Sequence, residues 1–188
     1  VPSSLSPEFA RRLGAALALE AHRAGVKQVA VGRDGRLSGP DLSQALQAGL
    51  MAGGIDVLDV GMVPTPLVYY AANVSGTGSG VAITGSHNPP QYNGFKMMLG
   101  GTTLYGDAIT ALREPMVKDA GGDAARPGVR KEWDAVPEYL QRIVGDVKLA
   151  RKMKIAVDAG NGVAGPVAVQ LFKALGCEVV ELYCDVDG

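Results

Sequence analysis

The 188-residue sequence predicts an α/β fold: a mixed β-sheet sandwiched by helices, followed by a second, incomplete α/β domain of similar type. Three observations carry this expectation. Apolar stripes at helical spacing alternate with short apolar, valine-rich runs, the pattern of helices packed on a sheet. Two strand-like runs, Val81–Thr84 and Phe95–Leu99, are separated by ten residues. That is short for a helical crossover, so this pair is expected to be antiparallel and the sheet mixed. After Gly121–Gly128 the pattern restarts, but it supplies too few strands for a sheet of ordinary size.

Each element has a local reason. Ser6 is a natural N-cap, Pro7 suits the first helical position and Glu8 suits the positive end of the helix dipole. Phe9, Leu13 and Leu17 then repeat at four-residue spacing until Gly25. Val26–Val31 reads as a buried strand ending in Gly32-Arg33-Asp34-Gly35-Arg36. A second helix starts near Pro40, with Leu42, Leu46 and Leu50 on one side, and Gly53-Gly54 ends it. Ile55–Val60 is the next strand, and Val63-Pro64-Thr65-Pro66 turns into a short helix over Leu67–Asn73. Beyond the antiparallel pair, one helix is expected from about Asp107 to Lys118, then a linker over Gly121–Gly128. The restart contributes a helix near Val136–Val144, a strand Lys154–Val157, a helix Val167–Leu175 and a strand Glu178–Leu182. The expected division is 1–132 and 133–188, the latter truncated, so the sequence reads as a fragment.

Composition narrows the function classes. A formal net charge of −1 argues against a general affinity for nucleic acid or an anionic membrane, both of which need clustered Lys and Arg. No stretch approaches the roughly 18 uninterrupted apolar residues of a membrane span, and a cytoplasmic protein is expected. Cys177 and Cys184 form no CxxC pair and have no nearby histidine, so they read as reduced, partly buried thiols.

The chemistry concentrates in Thr84-Gly85-Ser86-His87-Asn88-Pro89-Pro90-Gln91-Tyr92-Asn93-Gly94-Phe95-Lys96. Ser86 follows a strand, with Gly85 leaving its hydroxyl uncrowded, and His87 is one of only two histidines. Asn88, Asn93 and Lys96 add amide donors and a cation. A hydroxyl nucleophile, donors and a positive charge are what phosphoryl transfer needs, because positioning and charge neutralisation dominate it. The same residue types are also ordinary turn formers, so composition alone leaves turn and active site both open. TGSHN does not match the G-x-S-x-G elbow of serine hydrolases.

Thr84-Gly85-Ser86-His87-Asn88-Pro89 resembles the phosphoserine signature of the α-D-phosphohexomutases, and its continuation to Lys96 is similar to the bacterial phosphomannomutase/phosphoglucomutase branch. Further matches are Val31–Pro40 (VGRDGRLSGP), Val60–Pro66 (VGMVPTP) and Val157–Gly165 (VDAGNGVAG), in family order. The resemblance implies that Ser86 rests as phosphoserine and donates its phosphoryl to a hexose monophosphate, forming a hexose 1,6-bisphosphate. It implies that His87 positions the phosphoserine and that Lys96 neutralises charge and assists proton transfer. Magnesium would touch the Ser86 phosphoryl. Mannose and glucose phosphates are the implied substrates, and the remaining mutase domains of the same protein the implied partners. The family's D-G-D-G-D-R metal loop has no match here, nor has the arginine segment that usually precedes the first helix. The chain alone is therefore expected to be inactive. Phosphoglucosamine mutase, whose loop resembles S-A-S-H-N-P, is the nearest alternative within the family.

Other signals have plainer readings. Gly160-Asn161-Gly162-Val163-Ala164-Gly165 satisfies G-x-G-x-x-G between a strand and a helix. It would suggest a nicotinamide cofactor, but it lies outside the first βα unit and reads better as a tight turn. A sugar-phosphate-binding module without catalysis is the other rival. Arg33 and Arg36, with Asn88 and Asn93, are candidate substrate-binding residues. Arg33, Asp34 and Arg36 also read as a local ion pair that shapes the turn and orders the rim of the site. His22 is expected to be solvated, and Met97 and Met98 to fill core and surface positions.

Overall fold

The computed structural model describes residues 5–187. Helix α1 (Pro7–Arg23) begins where expected, with the Ser6 hydroxyl accepting the Phe9 N–H at 3.1 Å. It is followed by β1 (Gln28–Arg33), α2 (Gly39–Ala52), β2 (Asp56–Met62), α3 (Thr65–Val74), β3 (Gly80–Ile83) and β4 (Phe95–Leu99). A two-residue β5 (Thr102–Thr103), α4 (Asp107–Ala111), α5 (Arg113–Val117) and β6 (Arg130–Glu132) complete the first unit. Six strands form one sheet in the order β5-β4-β3-β1-β2-β6. The pairs β1–β2, β1–β3 and β2–β6 are parallel, whereas β3–β4 and β4–β5 are antiparallel. The sheet is mixed, as expected.

Alternation along the strands divides the core. Val29 and Val31 of β1, Val81 and Ile83 of β3, and Met97 of β4 pack with α1 and α2 on one face. Ala30 and Ala82 face the other way, where α3 supplies Leu67, Val68 and Ala71. Leu42, Leu46 and Leu50, read as one side of the second helix, are all essentially buried. Gly14 and Gly49 let the two helices meet backbone to backbone: a Cβ on Gly49 would lie 2.0 Å from the Arg11 carbonyl oxygen.

Two local readings change. The helix expected over 107–118 is broken at Leu112 into α4 and α5. Pro115 has no N–H for the Ala111 carbonyl and its ring crowds that turn; Leu112, at the joint, is buried in the core. The expected linker is packed: Ala124 N–H donates to Ala52 O, a carbonyl that the end of α2 leaves unpaired, and Gly128 N–H joins Gly54 N–H on Met51 O. His22 is exposed, as expected, and its Nε2 also donates to Gly53 O at 2.7 Å, at the end of α2. The edge strands β5 and β6 were not expected; β6 is Arg-Lys-Glu, exposed throughout, and carries no apolar signal.

The second unit comprises α6 (Val136–Asp146), β7 (Lys154–Asp158), α7 (Ala164–Ala174) and β8 (Glu178–Leu182), with β7 and β8 forming a separate parallel two-stranded sheet. Ala135, Val136 and Tyr139 pack on the α3 side of the first unit, and the Tyr139 ring meets Tyr70 edge-on at 5.3 Å. Cys177 and Cys184 are both free and buried. Among the described residues, no helix is long and apolar enough to cross a membrane.

Candidate active site

Adjacent parallel strands β1 and β3 end together, Arg33 beside Ile83 in register. The loops that leave their carboxyl ends therefore start side by side, the usual place for a site in an open α/β sheet. The Asp34 N–H donates to Ile83 O at 2.9 Å and locks the two exits. On the return, Thr84 N–H donates to Gly94 O at 3.0 Å, so β3 and β4 hold both ends of the 85–93 loop.

Ser86 stands at the first bend of this loop with φ +54°, a left-handed conformation that non-glycine residues adopt sparingly. Its N–H donates to Thr84 Oγ1 at 2.9 Å. Its hydroxyl lies 3.4 Å from His87 Nδ1. Both side chains are exposed to a cleft of about 500 Å³ whose opposite wall is the Gly160–Ala164 turn with Val186 and Asp187.

Asp34 is the hub beneath. Its Oδ1 accepts the Arg36 N–H at 3.1 Å, and its Oδ2 accepts Arg36 Nε at 3.0 Å and the Gly85 N–H at 3.3 Å. The rest of the Arg36 guanidinium spreads over the loop: Nη1 donates to Pro89 O and Tyr92 O, and Nη2 to Ser86 O and Asn88 O. Only 12% of the Arg36 side chain and 14% of Asp34 are exposed, so this is a nearly buried pair. Removing one partner of such a pair typically costs about 3–5 kcal/mol, because the other charge is left uncompensated.

The remaining candidates fall in different places. Asn88 donates from Nδ2 to Gly85 O at 2.9 Å and helps close the turn around Ser86. Asn93 donates to Ser38 Oγ at 2.9 Å and accepts the Gly94 N–H, tying the loop's return to the β1–α2 connection. Arg33 donates to Asp34 O at 3.3 Å. Lys96 pairs with Ala82 in the β3–β4 ladder and is exposed; among the described residues its ammonium makes no ion pair. Ser86, His87, Asn88 and Arg36 thus line one cleft, whereas Arg33, Asn93 and Lys96 do not. The expected ion pair forms between Asp34 and Arg36, but the sequence did not reveal the Gly85 N–H on Asp34, Thr84 as the acceptor for Ser86, or the GNGVAG turn as the facing wall. The Asp34-x-Arg36 spacing at a strand end was the signal for the pair. A second hollow of about 510 Å³ lies between α1, β4 and α5, and its walls, such as Phe9, Met97 and Met116, are almost wholly apolar.

The family model for phosphoglucomutase/phosphomannomutase, alpha/beta/alpha domain I, matches residues 1–120. The chain belongs to this family. It is 52% identical over 188 residues to a phosphoglucomutase of Neisseria meningitidis serogroup B, covering 100% of this chain and 41% of that protein. A phosphomannomutase/phosphoglucomutase of Pseudomonas aeruginosa is 51% identical over 188 residues, with 100% and 40% covered. A crystal structure of a phosphoglucomutase/phosphomannomutase family protein from Burkholderia thailandensis superposes with a TM-score of 0.92 at 50% identity, covering 100% of this chain and 42% of that one. The chain therefore spans about two fifths of the length of the relatives it matches.

Proposed function

We propose that the protein containing this chain is a phosphomannomutase/phosphoglucomutase, interconverting hexose 1-phosphate and hexose 6-phosphate through a phosphoserine at Ser86 and a hexose 1,6-bisphosphate. The observation that carries this is the Ser86 hydroxyl, held at a left-handed bend, next to His87 Nδ1 and open to the cleft. Family membership supplies the reaction class. In the forward step the Ser86 Oγ–P bond breaks as a sugar hydroxyl oxygen takes the phosphoryl group. The second phosphoryl of the bisphosphate then returns to Ser86. His87, whose Nδ1 lies 3.4 Å from the Ser86 hydroxyl, positions the phosphoserine. Lys96, with no ion-pair partner among the described residues, is free to neutralise charge and assist the proton leaving the sugar hydroxyl. Arg33, Asn88 and Asn93 are the proposed substrate contacts, and mannose and glucose phosphates the proposed substrates; Arg36, also expected to bind substrate, has all five donors taken up by Asp34 and four loop carbonyls. Residues 1–132 form domain 1 of this enzyme and 133–188 the start of domain 2, with further domains of the same protein as partners in a cytoplasmic enzyme.

Magnesium belongs to this reading, but the described residues do not by themselves fit it. They contain no group of three or more His, Cys, Asp or Glu side chains able to hold a metal ion. Asp34, the carboxylate nearest the loop, is taken up by Arg36 and Gly85. The Ser86 phosphoryl would supply one oxygen where octahedral Mg²⁺ needs six, so no step here is routed through the ion.

The test is peptide mass spectrometry on the full-length protein after incubation with glucose 1,6-bisphosphate. Phosphate should appear on Ser86, leave on addition of excess hexose monophosphate, and be absent in Ser86→Ala, whose turnover should fall by at least about 10³-fold. A wild-type Ser86 that stays unmodified while hexose phosphates bind would sink the mutase mechanism in favour of a sugar-phosphate-binding module.

A further inference from the structure

Five N–H groups of a single arginine end at the serine loop and its carboxylate hub, and the reaction above uses none of them. A guanidinium has five N–H donors in a planar fork. In Arg36, Nε is spent on Asp34, both Nη1 donors on Pro89 O and Tyr92 O at 2.8 and 3.0 Å, and both Nη2 donors on Ser86 O and Asn88 O at 3.1 and 2.8 Å. No donor is left for a substrate phosphate.

The loop is shaped to receive this plane. A Cβ on Gly85 would lie 2.4 Å from Arg36 Cζ and 2.5 Å from Nε, so the guanidinium rests where a side chain at 85 would stand. Four carbonyl oxygens converge on one cation. The negative ends of four main-chain dipoles are thereby gathered on Arg36 instead of being left to face an anionic phosphoryl on Ser86. These carbonyls lie at and beyond the left-handed bend at Ser86, and Asp34 Oδ2 takes the Gly85 N–H just before it, so the Asp34–Arg36 pair grips both sides of a conformation that persists only where surroundings impose it.

We propose that Arg36, seated on Asp34 and Gly85, is a positioning residue: it fixes loop 85–92 in the shape that presents the Ser86 hydroxyl, without touching substrate. This rests on the phosphoryl-transfer reading of Ser86.

The full-length protein, Arg36→Lys and Gly85→Ala test it. Lysine keeps the charge but, as a point donor with three N–H groups, cannot span Asp34 and four carbonyls. Alanine keeps every charge and pushes the guanidinium off the loop. In both variants, hydrogen exchange of amides 85–92 should rise at least roughly tenfold with the rest of the six-stranded sheet unchanged. Turnover should fall about 100-fold while KM for hexose phosphate stays within about threefold. A KM raised about tenfold with kcat kept would make Arg36 a substrate ligand and overturn the proposal. Unchanged exchange in the loop would overturn it too. Should Arg36→Lys not fold, Gly85→Ala decides by the same readings. Should wild-type Ser86 never take phosphate, the mutase reading falls separately, and loop exchange in the variants alone upholds or overturns the clamp.

Discussion

Ser86 combines a demanding backbone with slight local support. Its φ of +54° is uphill for a residue with a Cβ, and its N–H has one acceptor, Thr84 Oγ1. Because that bond is exposed, water can partly replace it, and its net worth is about 1 kcal/mol. Thr84→Val keeps the shape and deletes the oxygen. Transfer of phosphate onto Ser86 should then slow roughly fivefold to tenfold, while Tm moves by no more than a few degrees. Rapid-quench phosphorylation followed by peptide analysis measures the first and calorimetry the second; an unchanged rate would show that Thr84 does not hold the bend.

At the scale of elements, α1 is tied to the end of α5 by charge. The Glu8 carboxylate accepts Arg11 Nε and Nη2, both at 3.0 Å, and Arg12 Nε at 2.7 Å; Arg11 also reaches Asp119 just past α5. The hydrogen bonds from Arg11, then those from Arg12, hold the Glu8 carboxyl down to about 2 from an ordinary 4.5. A depressed carboxylate contributes stability that is fully present above its unfolded value and lost as pH falls through the folded one. The window is therefore from about pH 4.5 down to about pH 2. Glu8→Gln should lower Tm slightly on the pH 6–8 plateau, as befits an exposed cluster, and flatten the fall across that window, so that the two curves converge near pH 2. A wild-type and variant curve of equal slope would remove Glu8 from the acid transition.

For the whole molecule, the important contact is the one that closes the cleft. Val186, beyond β8, reaches back to Gly35 between the hub residues Asp34 and Arg36: a Cβ at 35 would lie 2.3 Å from Val186 Cγ1 and 3.8 Å from its Cβ. The second unit therefore seats on the very turn that carries the clamp. Gly35→Ala should lower stability by about 1–3 kcal/mol through overpacking. Adding Val186→Ala leaves only the ordinary 3.8 Å contact, so the double variant should recover most of the loss. Denaturant unfolding of the four proteins gives the coupling energy; additive losses would mean that the two residues do not meet.

Much of this was legible from single residues. Ser6-Pro7-Glu8 caps α1, Leu42, Leu46 and Leu50 declare the buried side of α2, and the short span between β3 and β4 forces an antiparallel pair, because capping, periodicity and loop length act locally. The family, too, could be read from the TGSHNP loop and its companions. Other features needed the fold. A three-residue charged strand, Arg130–Glu132, exists only because β2 offers it a ladder. The broken helix at Leu112 depends on a core that accepts the joint. Arg36 lies 50 to 56 residues from the carbonyls it gathers, and the GNGVAG turn faces Ser86 across more than 70 residues of chain. By itself the sequence determined the central strands, most of the helices and the family signature of the serine loop. Only the tertiary structure decided what holds that loop and what faces it, because hydrogen bonds between distant segments leave no period or spacing in either one.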